Sequence, residues 1–272
     1  MAVFSAGKFQ LPLGEKAYVM GILNVTPDSF SDGGQFFLPE LALQHALEMR
    51  DAGADIIDVG AQSTRPGHTR ISPQEELTRL LPVLEQLKNK LDIPVSVDTF
   101  YPEVAAAALQ NGASIINDVT GFDDPAMADV AADSDCGCII MHHTETNSDI
   151  LTDVYQYFTK KLEILYRKGI AAERICFDPG IGFGKTHEQN LQLLANCGKL
   201  RAGGCALLMA ASRKRVIGTE CGNPPFEQRL FGTIAAHSIA IADGADIVRV
   251  HDVPEMVQAA KISSAIRRVR IG

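Results

Sequence analysis

Polar side chains recur directly after short apolar segments along this 272-residue chain. Asp98 and Asn117 each lie at the end of such a segment, and Asp178 opens a glycine-rich run that reads DPGIGFGK. Buried carboxylate and amide groups suit a planar heterocycle, because its edge offers several hydrogen-bond donors and acceptors. These positions predict a pocket for a flat, polar ring.

A second group of residues has the chemistry of an anion site. Arg65, Arg249 and His251 suit a multiply charged anion, most simply a diphosphate. Asn24 offers an oxygen of the kind that Mg²⁺ binds, and this ion commonly keeps waters and contacts substrate phosphates. A ring pocket beside a diphosphate pocket indicates transfer of an activated heterocyclic methyl group, with diphosphate as the leaving group.

Several other chemistries are excluded by spacing. Residues 184–186 (GKT) resemble the end of a phosphate-binding P-loop, but that motif needs glycine where Pro179 stands. The same run also fails the G-x-G-x-x-G spacing of dinucleotide-binding proteins, and the chain has no G-x-S-x-G motif for acyl-enzyme chemistry. The glycines instead predict a backbone that passes close beneath a flat ligand.

The elements that must position these residues are short apolar strands alternating with longer amphipathic segments. The strands are rich in β-branched residues and lack strict alternation, which is typical of strands buried on both faces of a parallel sheet. We predict strands at 17–23, 55–59, 94–97, 114–117, 137–141, 174–177, 205–209 and 246–250.

Helix boundaries between the strands are also readable. Ser72 and Asp124, each followed by proline, predict helix starts, and Asp252 predicts the start of the last helix. The runs AGAD (52–55), NGAS (111–114) and DGAD (243–246) each place a glycine after a helix and before a strand. We therefore predict one α/β domain over 1–272, an eightfold (β/α)8 TIM barrel, whose functional groups follow the strands. A doubly wound open sheet is the alternative, but the nucleotide-binding first turn that it would need is missing.

Composition restricts partners and location. The 25 Lys and Arg against 33 Asp and Glu give a net charge of −8, which argues against a protein that coats nucleic acid. The six cysteines form no C-x-x-C pair, and no apolar run predicts a signal peptide or a membrane span. We expect a cytoplasmic protein without nucleic-acid or membrane partners.

In the order in which they occur, these motifs resemble the signatures of the dihydropteroate synthase family. Residues 20–34 (MGILNVTPDSFSDGG) resemble the first signature, and 58–67 (DVGAQSTRPG) resemble the second. The resemblance continues through VDT (97–99), IND (116–118), DPGIGFGK (178–185), SRK (212–214) and RVHD (249–252).

The resemblance implies condensation of 6-hydroxymethyl-7,8-dihydropterin diphosphate with p-aminobenzoate, giving 7,8-dihydropteroate and diphosphate in folate biosynthesis. It implies that diphosphate leaves first and that the amine attacks a pterin-methyl cation. The loops 26–34 and 63–67 would close over the site. The resemblance further suggests a homodimer formed through the late helices.

The resemblance also assigns roles to individual residues. Asn24 would hold Mg²⁺. The catalytic residues would be Asp98, Lys214, Arg65 and Asp32. The substrate-binding residues would be Thr64, Asn117, Met141, Asp178, Phe183, Lys185, Ser212, Lys214, Arg249, His251, Phe30 and Pro66, of which Phe30, Thr64, Pro66 and Lys214 are candidates for the p-aminobenzoate pocket.

The chain departs from the family pattern at three points, one of which is 141–144 (MHHT), where the family more usually has Met-His-Met or Met-His-x-Gly. Ala61 and Gln62 stand where the family more usually has Gly followed by Gly or Glu, and Ala210 and Ala211 stand where a glycine is common. The unaltered STRP loop (63–66) predicts sensitivity to sulfonamides. The alternatives are a methyltetrahydrofolate:corrinoid methyltransferase, which has no diphosphate to bind, and a non-catalytic pterin-binding protein, which only a turnover assay separates from the enzyme.

Overall fold

Eight parallel strands close into a barrel in the computed structural model, which describes residues 2–26, 38–62, 70–146 and 149–271. Each strand pairs with its neighbours in sequence, and the last pairs with the first. The barrel strands are β3 (Tyr18–Asn24), β4 (Ile56–Gly60), β5 (Val95–Asp98), β6 (Ile115–Asp118), β7 (Gly137–Met141), β8 (Ile175–Asp178), β9 (Ala206–Met209) and β10 (Ile247–Val250). The predicted (β/α)8 barrel is confirmed, and each predicted strand boundary lies within one residue of the observed one.

Helices separate the strands along the described chain. Their bounds are α1 (Leu38–Asp51), α2 (Pro73–Leu87), α3 (Pro102–Gln110), α4 (Pro125–Ala132), α5 (Ile150–Arg167), α6 (His187–Ala195), α7 (Arg215–Glu220), α8 (Leu230–Asp243) and α9 (Val253–Ile271). Among these helices, none has both the length and the apolar composition that crossing a bilayer requires.

Local sequence signals account for several helix ends. Ser72 and Asp124 cap α2 and α4, since their side chains accept hydrogen bonds from the backbone N–H groups of Glu75 and Ala126. Gly53, Gly112 and Gly244, in the three repeated runs, have φ of 102°, 99° and 131°, a conformation that favours glycine. The start of α9 after Asp252 is also confirmed.

A short antiparallel hairpin precedes the barrel and was not predicted. Strands β1 (Val3–Ala6) and β2 (Phe9–Pro12) pair with each other, and Phe4 and Ala6 are fully buried. They join the apolar cluster that contains Tyr18 at the start of β3. The hairpin therefore closes the end of the barrel at which the strands begin.

The two faces of the strands belong to two apolar clusters. In β4, Ile57 and Val59 belong to the large cluster that also contains helix residues, whereas Ile56 belongs to the small cluster inside the barrel. Because side chains alternate between faces, the residue two positions after Ile56 also points inward. That residue is Asp58, so an inward apolar residue is followed by an inward polar one at the mouth.

Candidate active site

The same alternation brings several predicted site residues together at one end of the barrel. In β4, the residue two positions before Asp58 belongs to the cluster inside the barrel. In β6, β7, β8 and β10 as well, the residue two positions before the predicted site residue belongs to that cluster, so the site residue points inward. The inward-facing residues placed in this way are Asn117, Met141, Asp178 and Arg249. Strand β5 follows the same pattern, since Val95 and Val97 pack outward and Asp98 accepts a hydrogen bond from the inward-facing Arg249.

Strand register then sets which of these residues are neighbours. Asp98 lies opposite Asn117 across β5 and β6, and Met141 lies opposite Asp178 across β7 and β8. All four side chains are buried, with at most 6% exposed. The carboxyl ends of these four strands therefore form a wall of three polar side chains and one apolar side chain, that of Met141.

A buried ion network joins the two sides of this mouth. Arg249 donates from Nε to Asp58 at 2.6 Å and from Nη2 to Asp98 at 2.9 Å. Asn117 donates from Nδ2 to the Asp58 carboxylate at 3.2 Å. The sequence suggests Arg249 only as an anion ligand, and the structure adds that its guanidinium pairs with two interior carboxylates. Asp58 opens the motif at 58–67, but the sequence indicates no role for it, because its hydrogen-bond partners lie on strands distant in sequence.

Asp98 combines a strong ion pair with incomplete hydrogen bonding. Its Oδ1 atom is buried and has no hydrogen-bond partner in the described part of the chain, although Oδ2 accepts from Arg249. Burial raises the pKa of Asp98 to about 7, against the opposing effect of the Arg249 charge. A buried acceptor without a partner is costly, so this oxygen is suited to receive a donor from a ligand.

The glycine-rich segment after β8 forms a tight turn against β7. The Asp178 carboxylate accepts from the backbone N–H of Gly180 at 2.8 Å, and burial raises the pKa of Asp178. Gly180 has φ of 71°, and a Cβ atom there would lie 2.0 Å from the His142 carbonyl oxygen. Only glycine fits this approach, which explains the glycine that follows Asp178 and Pro179.

Lys214 and Phe183 lie against each other on the other side of this turn. The Lys214 Nζ atom donates to the Ile181 carbonyl at 2.6 Å and lies 4.8 Å from the centre of the Phe183 ring. Burial lowers the pKa of Lys214 to about 8, while Asp178 opposes this shift. A lysine that titrates near neutral pH beside an aromatic ring and a carboxylate suits a polar aromatic ligand.

Lys185 differs from Lys214 in what it contacts. Its Nζ atom donates to the carbonyls of His142 and Phe183, each at 2.8 Å. The sequence suggested substrate binding, whereas the described contacts of this ammonium are with the backbone on either side of the turn.

Ser212 and His251 form a linked pair at the ends of β9 and β10. The Ser212 hydroxyl lies 2.9 Å from His251 Nδ1 and accepts from the His251 backbone N–H at 3.2 Å. Next to them, Arg213 Nε donates to the Asp252 carboxylate at 2.9 Å. Both predicted residues are thus held at the mouth of the barrel.

The Ala210 and Ala211 departure is accommodated nearby. Ala211 is fully buried, and its N–H donates to His237 Nε2 at 3.0 Å. Burial lowers the pKa of His237 to about 3, so the ring is neutral and able to accept. The methyl groups that Ala210 and Ala211 add relative to glycine therefore pack into the fold, and the backbone here is hydrogen-bonded to a side chain of α8.

The surroundings of Asn24 fit the magnesium prediction in their donor chemistry. A Cβ atom placed on Gly60 would lie 3.8 Å from both Asn24 Oδ1 and Asp98 Oδ2, so glycine leaves space between these two oxygens. Among the residues that the structure describes, no group of three or more His, Cys, Asp or Glu is placed to hold a metal. A neutral oxygen near a carboxylate suits an ion that keeps waters and depends on substrate phosphates, as Mg²⁺ does.

Two predicted segments fall wholly or partly outside the described residues. The predicted site residues in them are Phe30, Asp32, Thr64, Arg65 and Pro66, and their roles stay predictions. Beside the second segment, Gln62 is buried and accepts from the Ile71 N–H at 2.8 Å. The side-chain amide of Gln62, one of the departures from the family pattern, therefore hydrogen-bonds to the backbone of the chain.

Comparisons with known proteins place this geometry in context. The sequence profile of the pterin-binding enzymes matches residues 20–251. A dihydropteroate synthase of Clostridium beijerinckii is 44% identical over 266 residues, covering 96% of this chain and 98% of that protein.

Solved structures agree with the sequence comparison. Dihydropteroate synthase of Burkholderia cenocepacia, complexed with 7,8-dihydropteroate, has a TM-score of 0.90 at 37% identity, covering 99% of this chain and 98% of that one. The Yersinia pestis enzyme in a complex with a sulfonamide drug has a TM-score of 0.90 at 41% identity, covering 98% and 99%.

Proposed function

This chain belongs to the dihydropteroate synthases, a family of pterin-binding enzymes, and from that membership we propose that it is a transferase that joins 6-hydroxymethyl-7,8-dihydropterin diphosphate to p-aminobenzoate. The products are 7,8-dihydropteroate and diphosphate, in folate biosynthesis. The observation that carries this proposal is the meeting of Asp98, Asn117, Asp178 and Lys214 at one mouth of the barrel.

The buried carboxylates and amide suit the pterin ring. The buried Asp178 can accept from the donors on the pyrimidine edge, while Asp98 and Asn117 face the rest of the ring from neighbouring strands. The Met141 side chain between them supplies an apolar contact. A pocket of this kind orients a flat heterocycle by a few polar groups and buries its faces.

The diphosphate would bind at the rim beside this ring. We place it near Arg249, His251 and Ser212, whose side chains lie at the ends of β9 and β10. Asn24 would hold Mg²⁺ next to the diphosphate, where the ion would neutralise charge on the leaving group.

Bond breaking then precedes bond making. The bond between the pterin methylene carbon and the diphosphate oxygen breaks, and its electron pair leaves with the diphosphate. The negative charge of Asp98 stabilises the cationic pterin that remains, since it lies in a buried site where electrostatic interactions are strong. The amine of p-aminobenzoate donates its lone pair to the methylene carbon, which forms the C–N bond, and the nitrogen then loses a proton to water to give the neutral amine.

We also propose a homodimer. Phe231, Ala235 and Ile239 are exposed at helical spacing on α8, and Ile262, Ile266 and Val269 are exposed at helical spacing on α9. Helices α8 and α9 pack against each other, so the two apolar stripes lie on neighbouring elements. Exposed apolar surface of this kind is typical of a protein interface, and the symmetric pairing of identical chains is the commonest one.

A cytoplasmic location is proposed on the state of the cysteines. All six are free thiols, five of them buried. Unpaired cysteines are typical of a reducing compartment.

The test is incubation of the purified chain with the pterin diphosphate, p-aminobenzoate and Mg²⁺, with dihydropteroate measured by chromatography. We expect product that depends on both organic substrates, and inhibition by a sulfonamide that added p-aminobenzoate relieves. Pterin binding without product would favour the non-catalytic alternative. Methyl transfer from methyltetrahydrofolate to a corrinoid would favour the methyltransferase.

A further inference from the structure

Lys185 connects two segments that meet at the pterin pocket. It follows the glycine-rich turn after β8, and its ammonium donates to the carbonyl of Phe183 within that turn. The same ammonium donates to the carbonyl of His142, the residue directly after β7. One side chain thereby joins the ends of two adjacent strands.

The two segments approach each other backbone to backbone. A Cβ atom on Gly180 would lie 2.0 Å from the His142 carbonyl oxygen, and one on Gly184 would lie 2.9 Å from the His143 carbonyl oxygen. Side chains at these glycines would separate the segments. Lys185 therefore hydrogen-bonds to both segments, the end of β7 and the turn after β8, whose backbones lie too close together for side chains at these glycines.

The His142 end of this link is itself fixed to α5. His142 Nε2 lies 3.1 Å from Asp153 and 3.2 Å from the Thr144 hydroxyl, and its ring meets the Tyr157 ring edge-on. The Tyr157 hydroxyl donates to the Met141 carbonyl at 3.2 Å. The carbonyl that Lys185 binds therefore belongs to a strand end that is held on its outer side.

Two lysines hold alternate carbonyls of the same turn. Lys214 donates to Ile181 and Lys185 donates to Phe183, while the intervening Gly182 N–H donates to Asn190 at 2.7 Å. Lys214 also lies over the Phe183 ring, which places that lysine on the pocket side. Burial lowers the pKa of both lysines to about 8, so each remains mostly charged at neutral pH.

We infer that Lys185 is a positioning residue, which holds Phe183 in place against the pterin and does not bind the diphosphate. This inference rests on the proposed function. Its geometric basis is that the ammonium contacts two backbone carbonyls, one of which belongs to Phe183 itself.

A double-mutant cycle tests the inference by calorimetric titration with two probes, 6-hydroxymethylpterin and inorganic diphosphate. We expect Lys185→Met to weaken pterin binding about tenfold, because two carbonyls lose their donor, and to change diphosphate binding less than about twofold. In a Phe183→Ala background, Lys185→Met should weaken pterin binding less than about twofold, since contacting residues that act together are not additive.

Three outcomes would overturn it. The first is an equal loss of pterin affinity in both backgrounds, and the second is a loss of diphosphate affinity. The third is failure of both Lys185→Met and Lys185→Gln to fold, which would make Lys185 a requirement of the whole barrel. If only Lys185→Met fails to fold, the cycle is run with Lys185→Gln, which keeps a neutral donor.

A matched control and the wild-type titration complete the design. Lys161 is also half-buried and donates to a backbone carbonyl, that of Phe122, at 3.4 Å, and to Asp123. Lys161→Met should leave pterin affinity within about twofold, since none of its contacts, with Phe122, Asp123 and the Tyr157 ring 5.4 Å away, involves Phe183. A wild-type chain that binds no pterin would overturn the proposed function and this inference with it, whereas wild-type binding with additive variants would overturn the inference alone.

Discussion

Arg249 Nε lies 2.6 Å from Asp58 Oδ2, although the two residues are 191 positions apart in the chain. Asp58 is fully buried, and the same guanidinium also contacts Asp98. The pair therefore joins β10 to β4 and sets the charge balance at the centre of the mouth. Because the Arg249 guanidinium pairs with both Asp58 and Asp98, Asp98 can accept a hydrogen bond from a ligand while each carboxylate keeps an ionic partner.

Replacing Asp58 by asparagine should reduce both stability and turnover. Removing one partner of a buried ion pair leaves charge that is poorly compensated, which costs about 3 kcal/mol of the free energy of unfolding. We expect kcat/KM for the pterin diphosphate to fall as well, because Arg249 and Asn117 lose their common acceptor. Urea unfolding and steady-state kinetics measure the two effects.

The control for this substitution is Asp129→Asn. Asp129 pairs with Lys168 on the surface, with both side chains substantially exposed. Such pairs contribute about 0 to 1 kcal/mol. Equal losses of unfolding free energy in the two variants would show that the buried ion pair contributes no more to stability than the surface pair.

The dependence of kcat/KM on pH should be bell-shaped. Asp98 has to be ionised to stabilise a cation, and since its pKa is raised to about 7, activity should fall as the pH drops below that value. Lys214 has to be protonated to bind polar substrates, and since its pKa is lowered to about 8, activity should fall again above that value.

Lys214→Arg identifies the alkaline limb. Arginine stays charged across this range, so the fall above pH 8 should disappear in a variant that retains activity. An unchanged alkaline limb in that variant would assign the titration to another group, such as Lys185.

Lys214→Ala should weaken the binding of pterin and of p-aminobenzoate together. The ammonium lies beside Asp178 and Phe183 in the proposed pterin pocket, and the family resemblance of the sequence makes it a candidate for the aminobenzoate pocket as well. We expect each dissociation constant to rise about tenfold, as for loss of a charged hydrogen-bond donor. A change confined to inorganic diphosphate would contradict the role of Lys214 in both pockets.

Glu76→Gln should stabilise the protein at alkaline pH. Glu76 is fully buried, and neither carboxyl oxygen has a well-formed hydrogen bond in the described part of the chain. Burial raises its pKa from 4.5 to about 7, so the folded state holds the proton more tightly than the unfolded state. Stability of the native protein therefore falls as the pH rises from 4.5 through 7, and the variant escapes this loss.

The expected difference between Glu76→Gln and the native chain is about 2 to 3 kcal/mol of unfolding free energy at pH 8, fading to about zero near pH 4. Unfolding measured at several pH values checks it. Glu75→Gln, on the exposed side of the same helix, serves as the matched control. If the difference in unfolding free energy between Glu76→Gln and the native chain is the same at all pH values, ionisation of Glu76 is not its cause.

Charge introduced into the apolar stripes should separate the proposed dimer. Phe231 and Val269 are 82% and 79% exposed, so their replacement by aspartate costs little in a single chain. Light scattering after size exclusion should show a dimer for the native protein and monomers for Phe231→Asp/Val269→Asp. A native protein that elutes as a monomer would rule out the proposed dimer.

Sequence alone could predict the barrel because its signals are local. Apolar strands, capping residues such as Ser72, and glycines such as Gly53 act within a few positions of themselves. Asp98 and Asn117 could be identified for the same reason, since each ends a strand and the topology brings strand ends together.

The remaining features depend on contacts between distant positions. The interior role of Asp58 depends on its contact with Arg249, which lies on β10, separated from β4 only by β3. The hairpin at Phe4 is defined by the residues that it packs against. The contacts of Lys185 depend on how closely the Gly180 turn meets His142. No spacing in the sequence encodes these distances.

The most direct test of the central claim is a time course that follows both products. The native chain is incubated with the pterin diphosphate, p-aminobenzoate and Mg²⁺, and dihydropteroate and diphosphate are measured in the same samples. We predict that the two products appear in equal amounts, and that Asp98→Asn slows both by about a hundredfold or more. An Asp98→Asn variant as fast as the native chain would contradict a site in which this carboxylate stabilises the pterin cation.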